Sequence, residues 1–261
     1  MKNLFSLEGR TALITGGSRG IGAMIAKGFL IHGAKVYISS RKADQCEATV
    51  KELSAYGTCV ALPHDVSTVE GCKALASDYL AKEKTLDILV NNAGAAWAAP
   101  FAEFPESGWD KVMDLNVKSP FFLTQALHGA LKSAAAKGKL AKVIMIASID
   151  GIRINPWETY SYHASKSGLI HLTRRMAASL IGDGIAVSGI APGAFASEMN
   201  RAARDHEDMV SSMVPAGRIG TEEDMAGAAI FLASRAGDYV VGDTLAVDGG
   251  VAYSGLKHFG G

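Results

Sequence analysis

The chain has 261 residues, 48% of them hydrophobic and 20% charged, enough to bury one sizeable core in a single domain. Lys+Arg and Asp+Glu both number 26, so the net charge is zero, which argues against a nucleic-acid footprint and against electrostatic docking on a membrane. Three cysteines, Cys46, Cys59 and Cys72, form no C-x-x-C pair. They read as small buried hydrophobes in a reduced setting, and no metal is expected. The N-terminus meets Glu8 before any signal-peptide-like apolar run, and no run approaches the ~20 apolar residues that span a bilayer. A soluble cytoplasmic protein is the expectation.

Glycine accounts for 29 residues, about 11% against a usual ~7%, which suggests many tight turns and close backbone approaches. Short apolar runs read as buried strands at Thr11–Thr15, Lys35–Ser40, Thr58–Leu62, Leu86–Val90, Lys142–Ile146, Ala186–Ile190 and Thr244–Val247. The gaps between them are long enough for crossover helices. In the first gap Ile21, Met24, Ile25, Gly28 and Phe29 recur at helical spacing. Long helices are expected around Trp109–Leu131 and Tyr160–Ile181, and the stretch Ser133–Lys139 reads as an exposed loop before the fifth strand. Strands alternating with helices from end to end predict one α/β domain: a doubly wound parallel sheet of about seven strands with helices on both faces.

The first strand runs into Thr15-Gly16-Gly17-Ser18-Arg19-Gly20-Ile21-Gly22 and then a helix. Glycines here turn the chain and let backbone N–H groups approach a pyrophosphate at the helix N-terminus; the bland alternative is a tight strand-to-helix turn with no ligand. Gly16, Ser18, Arg19, Gly20, Ile21 and Gly22 are therefore candidate cofactor contacts. The second strand ends at Ser40-Arg41, with no carboxylate before Asp44. A carboxylate there would suit NAD; Arg41 with Arg19 suits the 2′-phosphate of NADP, unless both are simply solvated. Asp65-Val66 follows the third strand and Asn91-Asn92-Ala93-Gly94 the fourth, at the strand ends where such sheets bind ligands. Asp65 reads as an acceptor for an adenine amino group or as a loop or helix-cap residue beside Ser67 and Thr68.

Tyr162 and Lys166 are four apart on a predicted helix and share a face. A neighbouring ammonium is expected to lower the phenol pKa from ~10 toward working pH, making Tyr162 a proton donor and acceptor. Ser148, after the fifth strand, lies at the same end of the sheet, where its hydroxyl can donate to a developing alkoxide. Tyr160 is six residues from Lys166, roughly 240° around a helix, and is expected beside the substrate instead. No G-x-S-x-G surrounds Ser148, which argues against a hydrolase.

Taken in order, Thr15-Gly16-x-x-x-Gly20-Ile21-Gly22, Asn91-Asn92-Ala93-Gly94, Asn116, Ser148, Tyr162-x-x-x-Lys166, Pro192-Gly193 and Val247-Asp248-Gly249-Gly250 resemble the classical short-chain dehydrogenase/reductase family over nearly the whole chain. The resemblance implies a Rossmann-like domain, a cofactor half of about 1–145 and a catalytic half of about 146–261. It implies an Asn116–Ser148–Tyr162–Lys166 tetrad, with Lys166 also holding the nicotinamide ribose and Asn116 anchoring a proton-relay water. Ala93, Gly94, Pro192, Gly193 and Ser197 join the implied cofactor contacts. Ser148 and Tyr162 are fourteen apart, where the commonest family spacing is thirteen, and Ser197 stands where the family often has Thr. The implied substrate wall spans Ala95–Phe101, Ile149–Tyr160 and Ala194–Pro215, with Trp97, Trp157, Phe195, Met199 and Met213, and with Arg153 and Arg201 as the few charges. An apolar lining suits a fatty or bulky carbonyl compound, unless those side chains pack a core or a subunit contact. The chain looks similar to 3-oxoacyl reductases, with reduction of a 3-oxoacyl thioester as the leading expectation. It also looks similar to sugar-acid and alcohol dehydrogenases, and a non-catalytic nucleotide-binding scaffold is the other class. A homotetramer or homodimer is implied, with Val251–Gly261 as a second contact.

Overall fold

The computed structural model describes residues 3–136, 139–197 and 200–254. The elements run β1 (Thr11–Thr15), α1 (Gly20–Ile31), β2 (Lys35–Ser39), α2 (Ala43–Leu53), β3 (Cys59–Ala61), α3 (Val69–Leu80) and β4 (Ile88–Asn91) in the first half. Then come α4 (Glu106–Met113), α5 (Ser119–Ala126), α6 (His128–Ala135), β5 (Ala141–Ile146), α7 (Tyr160–Leu180) and β6 (Ile185–Pro192). The chain continues through α8 (Arg201–Asp205), α9 (Glu207–Ser211), α10 (Glu222–Ala233) and β7 (Thr244–Val247). All seven expected strands form, with ends shifted by one or two residues where hydrogen bonding, not apolarity, sets the limit.

The sheet is parallel throughout, in the order β3-β2-β1-β4-β5-β6-β7. Side chains alternate across it. Leu13, Leu89, Val143 and Met145 join the core under α3, α5, α6 and α7, while Ala12, Ile14, Val90, Ile144 and Ile146 join the core under α1 and α10. Period-two alternation with both faces apolar is why each strand reads as a continuous hydrophobic run. The strand order reverses between β1 and β4, and a crevice opens there beyond the carboxyl ends of the strands.

Two helical expectations need correction. Ser133–Ala135 complete the last turn of α6, with Ala134 buried, so the exposed loop before β5 is shorter than its polar composition suggested. Residues 137 and 138 lie outside the described residues. The helical stretch expected over Trp109–Leu131 is not uniform. A π-helical turn, Asp114–Lys118, separates α4 from α5, and the chain breaks again at Leu127 before α6. The long helix expected at Tyr160–Ile181 forms as α7, 21 residues in length.

Candidate active site

The loop between β1 and α1 carries the glycine geometry that its sequence foretold. Gly16 and Gly20 have φ of 64° and 52°, values that an L side chain adopts only with strain. A methyl group on Gly22 would overlap the carbonyl oxygen of Gly16. Arg19 occupies the N-cap of α1 without a side-chain hydrogen bond, and the first turn holds no acidic residue. The first N–H groups of α1 therefore face the crevice with the positive end of the helix dipole behind them. Ser18 is half-buried, and its carbonyl accepts from Thr49 Oγ1 at 2.8 Å. Arg19 and Arg41 are exposed, and neither forms an ion pair among the described residues.

A hydrogen-bonded seam joins this loop to the end of β4. Thr15 Oγ1 accepts from the N–H groups of Asn92 and Ala93, both at 3.0 Å. Asn92 Nδ2 donates to the carbonyls of Thr15 at 2.8 Å and Gly16 at 3.1 Å. Asn92 is thus the amide that shapes the glycine loop; a polar residue following a strand of four buried residues was the available signal. Asn91 can reach a cofactor only through its backbone. Its side chain turns into the core, where Nδ2 donates to Thr124 Oγ1 and approaches Met145 Sδ. Beyond β3, Val66 packs into the core, so a contact from that residue falls to its backbone. Asp65 is exposed, with Oδ1 accepting from Ser67 N at 3.0 Å, while Thr68 caps α3. Asp65 thus closes its own loop, and its Oδ2 accepts no hydrogen bond among the described residues.

On the opposite lip, the Gly193 N–H donates to the Val247 carbonyl at 2.9 Å, and a Cβ on Gly193 would lie 2.6 Å from Asp248 Cβ. Asp248 closes its own turn by accepting from the N–H groups of Gly250 and Ala252. Ser197 meets the glycine loop: its Cβ lies 3.3 Å from where a Cβ of Gly20 would stand.

The four tetrad residues converge at the C-terminal edge of the sheet. Lys166 is buried in α7, and its Nζ donates to the Ile146 carbonyl at 2.8 Å, 5.6 Å from the centroid of the Tyr162 ring. Gly94 sits beside it, since a Cβ there would lie 3.7 Å from Lys166 Nζ and 3.2 Å from Asn116 Oδ1. Asn116 lies in the π turn, where the wider winding aims its amide inward. The amide exchanges hydrogen bonds with Ala95, accepting from its N–H at 2.8 Å and donating to its carbonyl at 2.9 Å, and also donates to Ser165 Oγ at 2.9 Å. Asn116 therefore clasps three elements, which is the structural alternative to a water anchor. Gly151 packs so closely on α7 that a Cβ would lie 2.6 Å from the Lys166 carbonyl carbon.

Ser148 is buried and accepts from the Asp150 N–H at 3.1 Å, which leaves its own proton free to donate. It is the hydrogen-bonding neighbour that favours ionised Tyr162. The expectation that Lys166 brings the Tyr162 pKa toward neutrality does not hold. Burial dominates and pushes Tyr162 up to about 12, with Ser148 opposing and Asp150 adding to the rise. The same burial brings Lys166 down to about 8. Lys166 is buried and Tyr162 half-buried, and desolvation works against the charged form of each. Tyr160 is exposed, donates to Glu158 Oε1 at 3.0 Å and stacks edge-on against Phe101 and Phe104, away from Lys166 as its angular position required.

The apolar wall is only partly assembled. Trp97, half-buried, lies against Gly108 of α4 under Lys111, while Phe195 is 2% exposed beneath Gly220 and is a packing residue. Trp157 at 68% and Met213 at 65% exposure remain on the rim, joined by Ile154 at 87% and Phe101 at 79%. Met199 and the Arg201 side chain lie outside what the structure describes. No group of three His, Cys, Asp or Glu among the described residues is placed to hold a metal ion.

Comparison with known proteins bears on this geometry. A family model described as enoyl-(acyl carrier protein) reductase matches residues 16–252. The rhamnolipids biosynthesis 3-oxoacyl-[acyl-carrier-protein] reductase of Pseudomonas aeruginosa is 46% identical over 253 residues, covering 96% of this chain and 99% of that protein. The gluconate 5-dehydrogenase of Gluconobacter oxydans is 37% identical over 260 residues, covering 97% and 98% of the two chains. Among solved structures, the Pseudomonas aeruginosa RhlG/NADP active-site complex superposes with a TM-score of 0.93 at 45% identity, covering 97% of this chain and all of that one.

The buried position of Lys166 makes a direct prediction. Its side chain is charged below about pH 8 and neutral above it, whereas exposed lysines titrate near ~10.4. In a carbon-13 NMR titration of the lysine side chains, one resonance should move with a midpoint near 8 and disappear in Lys166→Arg. A lysine set that titrates uniformly above pH 10 would contradict the burial argument.

Proposed function

The chain belongs to the short-chain dehydrogenase/reductase family, and from that premise we propose that it interconverts a carbonyl and a secondary alcohol with NADP(H), Tyr162 carrying the proton. The carrying observation is the placement of Tyr162 between the donor-ready Ser148 hydroxyl and buried Lys166 at the open edge of the sheet. A nucleotide-binding scaffold has no use for a phenol and an ammonium held together against the desolvation of both.

The crevice fits a dinucleotide. The uncapped N-terminus of α1 and the glycine cradle, which a Cβ at Gly22 would fill, suit a pyrophosphate. The guanidiniums of Arg19 and Arg41, which form no ion pair among the described residues, suit a 2′-phosphate. When bound, NADP(H) supplies or accepts the hydride at the substrate carbon. Ser148 donates a hydrogen bond to the carbonyl oxygen and orients it. Tyr162 holds its proton at neutral pH and delivers it to that oxygen, or recovers it in the reverse direction. Lys166, fixed by Ile146, stands ready to reach a ribose hydroxyl, and Asn116 keeps the π turn and α7 in register.

The first substrate class is a 3-oxoacyl thioester. Support comes from the 46% identical reductase and from the exposed apolar rim of Phe101, Ile154, Trp157 and Met213, which suits an acyl chain. The second class is a keto sugar acid, supported by the gluconate dehydrogenase relative. A homotetramer, or a homodimer, extends the proposal: Trp109 and Phe121 are exposed on α4 and α5. Residues 255–261 of the expected C-terminal contact lie outside the described residues. Three free thiols, all buried, support a cytoplasmic site of action, and no described helix is long and apolar enough to cross a membrane.

Three experiments test this reading. Tyr162→Phe should lower kcat at least about a hundredfold while leaving nucleotide binding nearly intact, because only the transferable proton is lost; Tyr160→Phe should cost far less, and the reverse pattern would move the acid to Tyr160. Arg41→Asp should lower kcat/KM for NADPH by about ten- to a hundredfold relative to NADH, the span of ~1.5–3 kcal/mol for a charge-assisted hydrogen bond; equal use of both nucleotides by the unmodified protein would refute the preference. Sedimentation at micromolar concentration should show an oligomer, and a lone 27.3 kDa species would rule it out.

A further inference from the structure

One helix braces the two turns that carry exposed arginines. Ser18 precedes Arg19 in the loop after β1, and Ser40 precedes Arg41 after β2. The two strands are neighbours, with Thr15 opposite Ser39. The Gly17 N–H donates to the Ser39 carbonyl at 3.2 Å, and a Cβ on Gly17 would lie 2.7 Å from Ile38 Cγ2, so the turns lie side by side. Helix α2 reaches both. Thr49 Oγ1 donates to the Ser18 carbonyl at 2.8 Å. Three residues earlier, on the same face, Cys46 Sγ lies 3.0 Å from Ser40 Oγ and 3.9 Å from the Ser40 carbonyl.

Thr49 departs from what a helical threonine ordinarily does. A hydroxyl inside a helix commonly turns back to the carbonyl four residues earlier. Thr124 in α5 and Thr173 in α7 do so, donating to the Pro120 carbonyl at 2.7 Å and the Leu169 carbonyl at 2.8 Å. Thr49, half-buried, sends its proton out of α2 to the loop after β1. The Ser18–Arg19 peptide is planar and trans, so a carbonyl held by α2 fixes the plane that contains Arg19 N and Cα and turns that N–H away from the helix. The Arg19 side chain makes no hydrogen bond or ion pair among the described residues, so its backbone sets where the guanidinium starts. Asp44, exposed in the first turn of α2, pairs with neither Arg19 nor Arg41 among the described residues.

We propose that Thr49 is a positioning residue for nucleotide selectivity: by tying the Ser18 carbonyl to the helix that also holds Ser40, it sets the separation at which Arg19 and Arg41 grip one 2′-phosphate. This rests on the reading of the two arginines as the partners of that phosphate. Thr49 does not touch the nucleotide. A two-point clamp is sensitive to spacing because charge-assisted hydrogen bonds are short and directional. NAD(H) lacks the phosphate and is indifferent to the clamp. Sequence reasoning passed over Thr49 because nothing in the pattern of α2 names the element lying opposite a given residue.

Calorimetric titration with NADP+ and with NAD+, no substrate being present, reads this directly. Thr49→Val keeps the side-chain shape and removes the hydroxyl. It should raise the Kd for NADP+ about three- to tenfold, the range for one lost hydrogen bond, and leave that for NAD+ within about twofold. Thr49→Ser should restore NADP+ binding. In an Arg19→Ala background Thr49→Val should add nothing, since its effect passes through Arg19. A merely structural residue would weaken both nucleotides alike and cost as much with Arg19 absent as with it present. Equal weakening of both nucleotides, unchanged NADP+ binding in Thr49→Val, or an undiminished effect in the Arg19→Ala background overturns the proposal. Weakened NADP+ binding in Arg19→Ala and Arg41→Ala, with none in Thr49→Val, overturns the brace and leaves the arginine reading standing. Unchanged NADP+ binding in both arginine variants overturns the arginine reading and the brace with it.

Discussion

The burial of a single cation governs the arrangement around it. Lys166 can sit in α7 only because the end of β5 offers the Ile146 carbonyl at 2.8 Å, and an ammonium removed from water needs that acceptor. Its neighbours follow. Gly94 leaves room for the Asn116 amide, and Gly151 lets the β5–α7 connection lie against the Lys166 backbone. The π turn brings Asn116 inward to tie Ala95 to Ser165 of the same helix.

Tyr162 inherits its chemistry from this enclosure. Burial raises the phenol and lowers the ammonium, so the pair begins with the proton on the phenol. The enclosure argument runs opposite to the simple view in which a nearby lysine produces phenolate. Charge–charge attraction wins where solvent supports both ions; desolvation wins where it supports neither.

Much of this was legible beforehand, and the limits have physical causes. All-apolar runs between glycine-rich turns located every strand, since a doubly covered parallel sheet leaves no other pattern. Tyr162, Lys166 and Ser148 were legible because helical spacing and strand ends bring them together. Side-chain direction was less so: Asn91 and Asn92 are adjacent and chemically identical, yet the strand's alternation sends one into the core and the other over the glycine loop. Phe195 was read as wall because aromatics suit both roles, and its burial beneath Gly220 decides for packing. The π turn left no trace in the pattern, because one extra residue per turn barely disturbs helical periodicity.

The reversal of strand order between β1 and β4 has a consequence for how such a protein can change. Arg19 and Arg41, proposed for a phosphate, follow β1 and β2, while the groups proposed to handle the proton depend on β5, α7 and the π turn. The Thr15–Asn92 seam joins the two flanks. Nucleotide choice can therefore drift by a substitution or two on one flank while the reaction chemistry stays untouched on the other. The rim residues beyond both can vary a third time over. A fold divided in this way is modular in the evolutionary sense: each module is selectable by itself.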